Sequence, residues 1–151
     1  MRTFTAHTTV KGRREDVFVT LIDPDCIRRW SPVDFEVEHL DGERLEAGGQ
    51  ARVVGRLAGL RVGFDVDVVE ADGERLTLVA AGPIDLDVGY RVAPAGDGSE
   101  ITASVSVRRA SGFSGRVLAG ATDALLAGGA LEAALGRIAR HAEDTEFALA
   151  C

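Results

Sequence analysis

Few side chains in this chain are of a kind that does chemistry, and their spacing limits what each can do. Tyr90 lies in an alternating stretch, Ile84 to Val92, on the same parity as Leu86 and Val88. Its ring is therefore expected inside, as a core aromatic with its hydroxyl at the rim or as a donor to a ligand carbonyl. Glu132 falls on the flank of an apolar helical stripe, one turn beyond Gly128. Buried and alone, its carboxyl would resist ionisation and could serve as an acid. The expectation is the other case, a carboxylate at the edge of the stripe reaching water. Trp30, the one tryptophan, either stacks on a ligand at a cavity mouth or anchors the short helices around it, and the residues leave both open.

The remaining candidates carry less. A nucleophilic cysteine needs a histidine or a cationic site beside it. Cys26 has Arg28 and Arg29 nearby but no assignable histidine, so it reads as an inert thiol. With Cys151 it forms no CxxC and suggests no disulfide framework. His7, His39 and His141 have no metal-ligand spacing. The stretch from Ser111 falls short of G-x-S-x-G, because Arg116 stands where the last glycine would be. Gly55, Gly59 and Gly63 lack dinucleotide-binding spacing and read as strand bends. No GK[ST] occurs, so no P-loop is present. Neither a metal nor a cofactor is expected, and no catalytic residue can be assigned.

These residues sit on elements that the pattern makes legible. Arg2 to Val10 alternates and is rich in threonine, which predicts a strand. Arg13 to Ile22 then follows a helical period. Asp23 and Pro24 open a second short helix, an N-cap followed by proline at the first helical position, ending near Trp30-Ser31-Pro32. From Val33 the period becomes two. Strands are predicted at 33–40, 50–57, 60–70, 75–80, 84–92 and 100–109, with turns such as Asp41-Gly42, Ala58-Gly59 and 71–74 between them. Short connections make neighbouring strands antiparallel. Leu60, Val62, Phe64, Val66 and Val68 share one face, whereas Arg61, Asp65 and Asp67 share the other, so the sheet has a buried side and a wet side.

Ser114 to Glu146 reads as one long helix covering the buried side of the sheet. Val117, Leu118, Leu125, Leu131, Leu135 and Ile138 fall on its apolar half. Gly128 and Gly129 in its middle each cost about 1 kcal/mol against alanine. They imply either close backbone packing or room left beside the helix.

One domain, residues 1–151, is expected from the length. A net charge of −7 without any basic block disfavours nucleic acid as a partner. The one stretch long enough for a membrane span, Val117 to Leu135, carries Asp123 and Glu132, so an amphipathic helix is the better reading. No signal peptide is seen, and a cytoplasmic address follows by default. The oligomeric state is not legible.

Several local signatures occur in a telling order. Val10 to Phe18 forms a strand-to-helix opening. Asp23-Pro24 is followed by Trp30-Ser31-Pro32. Tyr90 to Pro94 with Gly98-Ser99 forms a late hairpin, and Ala130 to Ala139 closes the last helix. In this the chain, from about Phe4 to Glu146, resembles the START-related helix-grip superfamily, also called SRPBCC, and within it the polyketide cyclase/dehydrase-like branch. The resemblance implies an α+β helix-grip fold. In it a curved antiparallel sheet of about seven strands wraps a long C-terminal helix, with two short helices after the first strand. It also implies an apolar cavity between sheet and helix for a lipid, a polyketide or a similar molecule.

Strand parity then places Phe64, Leu78 and Tyr90 on the cavity wall. The helix contributes Leu125, Gly128, Gly129 and Glu132, and Trp30 stands near the mouth. The inward positions offer no acid, histidine or arginine, and general acid–base catalysis needs a titratable pair within reach of substrate. A binding protein for an apolar molecule is therefore the first reading. A polyketide aromatase/cyclase, using groups such as Tyr90 and Glu132, is the second. An interaction module with a ligand-free core is the third.

Overall fold

The computed structural model describes residues 2–31, 34–57 and 59–145. Pro32, Val33, Ala58 and Glu146, which the sequence assigned to a helix end, a strand start, a turn and the last helical residue, lie outside them.

Seven strands form one antiparallel sheet: β1 (Arg2–Val10), β2 (Phe35–Leu40), β3 (Gln50–Leu57), β4 (Leu60–Ala71), β5 (Arg75–Ala81), β6 (Ile84–Ala95) and β7 (Gly98–Ala110). Their order across the sheet is β1-β7-β6-β5-β4-β3-β2. The first two strands in sequence are thus the two edges, and α1 (Arg14–Ile22) and α2 (Pro24–Trp30) carry the chain between them. The registers match the parity expected from the sequence. Phe4 faces Val105, Ala6 faces Ala103, and Tyr90 also faces Ala103. Leu78 faces Val88, Val66 faces Ala80, and Val53 faces Phe64. Apolar partners therefore meet across strands on one side of the sheet.

Three register slips bend this sheet. The slip between Val68 and Glu70 leaves Val69 55% exposed while Val68 stays buried. An extra residue on one strand of a pair increases local twist, which curls the sheet towards its apolar side.

The short helices are built as their residues suggest. The Asp23 carboxylate accepts from the Asp25 backbone N–H at 3.0 Å, and Pro24 follows it. Trp30 ends α2 with its indole N–H donated to the Thr20 carbonyl at 2.9 Å, which locks α2 to α1. The Gly98-Ser99 signature also has a local cause. The Ser99 hydroxyl donates to the Gly12 carbonyl at 2.7 Å, and Gly98 packs against the backbone of Val10, where a side chain would collide. The pair thus ties the start of β7 to the chain leaving β1.

The C-terminal helical segment packs on the sheet, as expected, but it is not one straight helix. It is divided into α3 (Gly112–Ala127) and α4 (Ala130–Thr145), bent by 60° at the intervening glycines. Gly129 has φ +96°, a left-handed conformation that glycine adopts at little cost. The wheel pattern ran through this point without a break. A single helix of the expected length would measure about 50 Å, whereas seven strands span only about 30 Å.

α4 supplies the central packing: Leu131, Ala134, Leu135, Ile138 and Ala142 are all buried against β1, α1 and α2. Arg137 crosses to α2 and donates to the Trp30 carbonyl at 2.9 Å. α3 is held by a narrower stripe of Gly115, Leu118 and Thr122. Val117 and Leu125, expected on the buried side, are each 41% exposed, and Phe113 is 81% exposed. The helix touches β3, β6, β7 and α4, and these contacts leave part of its apolar half uncovered. Among the described residues no single helix is long and apolar enough to cross a membrane; α3 and α4 together have the length but are bent.

Candidate binding site

The site follows from the curl of the sheet. β2 to β5 turn their apolar residues towards α2, and the backs of these residues do not meet the helix fully. A cavity of about 260 Å³ remains, walled by Ile27 of α2, Phe35 and Val37 of β2, Val53 of β3, and Phe64 and Leu78. Ser31 is the one polar side chain among its described lining residues. A second cavity of about 180 Å³ lies under α3, walled by Leu57, Val62 and Phe64 of the sheet and by Leu125, Leu126 and Thr122 of the helix. The Thr122 hydroxyl donates to the Leu118 carbonyl at 2.8 Å, so its proton is already engaged.

A larger depression, about 600 Å³, lies elsewhere, at the end of β1 and the β6–β7 turn, among Lys11, Arg13, Asp97 and Glu143. Its walls are charged and backbone-rich, and it is outside the space that sheet and helices enclose. The two apolar cavities are the better candidates because burial of apolar surface supplies most of the affinity for a small molecule.

The residues expected at the site separate into groups. Phe64 and Leu78 line the larger cavity, and Leu125 lines the smaller one at its exposed rim. Trp30 is 6% exposed and packs edge-on against Tyr90, with ring centroids 6.1 Å apart. These two rings belong to the main core beside Leu76 and Leu135, and neither is among the residues walling the two cavities. Burial pushes the Tyr90 hydroxyl up from 10.0 to about 12, with desolvation as the cause. Gly128 is exposed at the end of α3, Gly129 makes the bend, and Glu132 is exposed in the first turn of α4. None of these three walls either cavity; Thr122, Leu125 and Leu126 do so before the bend and Ala130 after it.

Ile27, Phe35 and Val37 were not singled out from the sequence. The alternation of Phe35 and Val37 with Glu36 and Glu38 was a usable signal, since only one parity of such a strand can be buried. What could not be read was that α2 would stand opposite it. Cys26 is buried and disulfide-bonded, which corrects the free thiol expected there. The other cysteine, Cys151, lies outside the described residues. Among the described residues no group of three or more His, Cys, Asp or Glu is placed to hold a metal ion.

Comparison with known proteins agrees with this architecture. Residues 1–143 match a family model described as polyketide cyclase / dehydrase and lipid transport. No curated protein matches the chain. Among solved structures it is similar to CV1439 from Chromobacterium violaceum, with a TM-score of 0.68 and 18% identity over 93% of this chain and 96% of that one. It is similar to KanY, with a TM-score of 0.68 and 16% identity over 94% and 97%. It also resembles DynU16, from the dynemicin biosynthetic locus, with a TM-score of 0.62 and 19% identity over 93% of this chain but 47% of that one. The chain thus spans about half the length of DynU16. At these identities the likeness is one of fold.

Proposed function

The chain belongs to the polyketide cyclase / dehydrase and lipid transport family, and from that premise we propose that it binds a neutral, apolar small molecule, a lipid, a polyketide or a similar compound, between its sheet and its helices. One observation carries this reading: the larger cavity is lined by aliphatic and aromatic side chains, with no titratable group among its described lining residues. A charged ligand group would lose its water there and gain no partner, which is costly. A neutral apolar body gains about 25 cal/mol for each Å² it buries.

The aromatase/cyclase alternative draws support from the family description and from the biosynthetic locus of DynU16. It requires polar groups that hold several carbonyls in place. Ser31 and Thr122 are the hydroxyl-bearing residues at the two cavities, whereas Tyr90 faces Trp30 and Glu132 faces solvent. Binding without turnover is therefore the leading reading.

The test is titration with neutral lipids, sterols and aromatic polyketides, followed by methyl NMR. Saturable shifts at Val53, Val66 and Leu78 are expected. Failure of the whole panel to bind would leave the ligand-free module as the answer. Conversion of a linear poly-β-ketone to a ring by the wild-type protein would put the cyclase first. The compartment is tested separately. A paired Cys26 persists where thiols are oxidised, so a non-reducing gel of protein taken from cells checks the cytoplasmic address expected from the sequence.

A further inference from the structure

The geometry points to Phe64 as a partition that sets the length of ligand this protein accepts, an inference that rests on the binding function proposed above. Two residues wall both cavities, Gly55 and Phe64. Gly55 has no side chain, so the Phe64 ring is the one side chain common to the two spaces. It projects from β4 on the apolar side of the sheet, opposite Val53.

The ring rests against Gly82 in the β5–β6 turn. A Cβ at Gly82 would come within 2.9 Å of the ring Cδ1, so the ring lies where only glycine leaves room. It also packs on the buried cluster of Val62, Ile84 and Leu118, but it is less enclosed than the aromatics of the main core. Phe18 and Trp30 are each 6% exposed and tightly packed, whereas Phe64 has empty space on both sides. Interiors are normally close-packed, so a side chain with open space on either side acts as a wall between the two spaces.

With the ring in place, a ligand fills the larger cavity and stops. Without the ring, the two spaces join, and a longer molecule runs from α2 to α3. The far compartment is walled almost wholly by apolar surface, and the Thr122 proton is already engaged by the Leu118 carbonyl. The ligand class that fits is an elongated neutral molecule, apolar along its length, ending in a methyl or a hydroxyl.

Unbranched primary alcohols of increasing chain length test this by calorimetry. For the wild type, affinity is expected to rise about fourfold per added methylene, then to flatten once the larger cavity is full. Phe64→Ala should continue the rise through lengths at which the wild type is flat. Phe64→Leu, which keeps more of the packing, should move the plateau in the same direction by a smaller step. Adding Leu86→Phe to Phe64→Ala should fill the smaller cavity and restore the early plateau. Alcohols that bind with the same plateau in all variants would overturn the partition and leave the binding function standing. No alcohol binding to any variant, each with an intact melting transition, would overturn both.

Discussion

The Trp30 and Tyr90 rings meet edge to face, their centroids 6.1 Å apart and their planes at 70°. This contact joins α2 to β6 inside the core. The two most conspicuous aromatic candidates are thus partners of each other, and neither walls the two apolar cavities. The Trp30 indole also closes α2 onto the Thr20 carbonyl. Trp30→Phe should keep most of the packing and lose that hydrogen bond, costing about 1–3 kcal/mol by urea denaturation. Trp30→Ala should cost about 3–5 kcal/mol. A change below about 0.5 kcal/mol for both would show that the contact is incidental.

Tyr90 predicts an alkaline limb of stability. Its hydroxyl ionises near 10.0 when exposed and about 12 when folded, because burial disfavours the phenolate. Below pH 10 both states hold the proton, and the group has no effect on the pH dependence. Between pH 10 and 12 the unfolded chain releases it and the folded chain does not, so stability falls as pH rises, by up to about 2–3 kcal/mol. Denaturation midpoints measured across this window should show the slope, and Tyr90→Phe should remove it. A slope unaltered in Tyr90→Phe would assign it to other groups.

The two glycines of the bend should behave differently. Gly129 has φ +96°, so Gly129→Ala forces a side chain into a left-handed conformation and should cost about 1–2 kcal/mol. Gly128 has φ −81° and is exposed, and a Cβ there would come 3.1 Å from the Ala124 carbonyl oxygen, so Gly128→Ala should cost less, under about 1 kcal/mol. Neither change should alter ligand uptake by more than about threefold, since neither residue walls a cavity. Equal costs at the two positions would argue against the bend.

Filling the larger cavity should separate stability from binding. Val66→Phe extends into existing space, so it should change stability by under about 1 kcal/mol rather than overpack the core. It should lower affinity for a lipophilic dye at least tenfold. Unchanged dye affinity would place the dye elsewhere.

Glu132→Gln serves as the control on the catalytic alternative. The residue is exposed in the first turn of α4, where a carboxylate interacts favourably with the helix N-terminus. The substitution should cost under about 1 kcal/mol and leave ligand affinity within about threefold. Loss of turnover on any substrate found would return Glu132 to the site.

Local pattern alone was enough for the strands, their antiparallel pairing and, away from the three register slips, the side each residue takes. Val53, Phe64, Val66 and Leu78 were legible as inward residues because strand parity is a local property with a period of two, and short turns leave the neighbour no freedom. The Asp23-Pro24 start of α2 was legible for the same reason, since a cap acts within a few residues. Tertiary structure decided what each inward residue meets. Phe64 and Tyr90 share a parity, yet one stands between two voids and the other against Trp30. That difference depends on where α2 and α3 cross the sheet, and no local period encodes a crossing. The bend at Gly128 and Gly129 was decided the same way. The apolar stripe continues across it on the wheel, but α3 and α4 take up separate packing on the sheet, and the chain turns where glycine permits φ +96°.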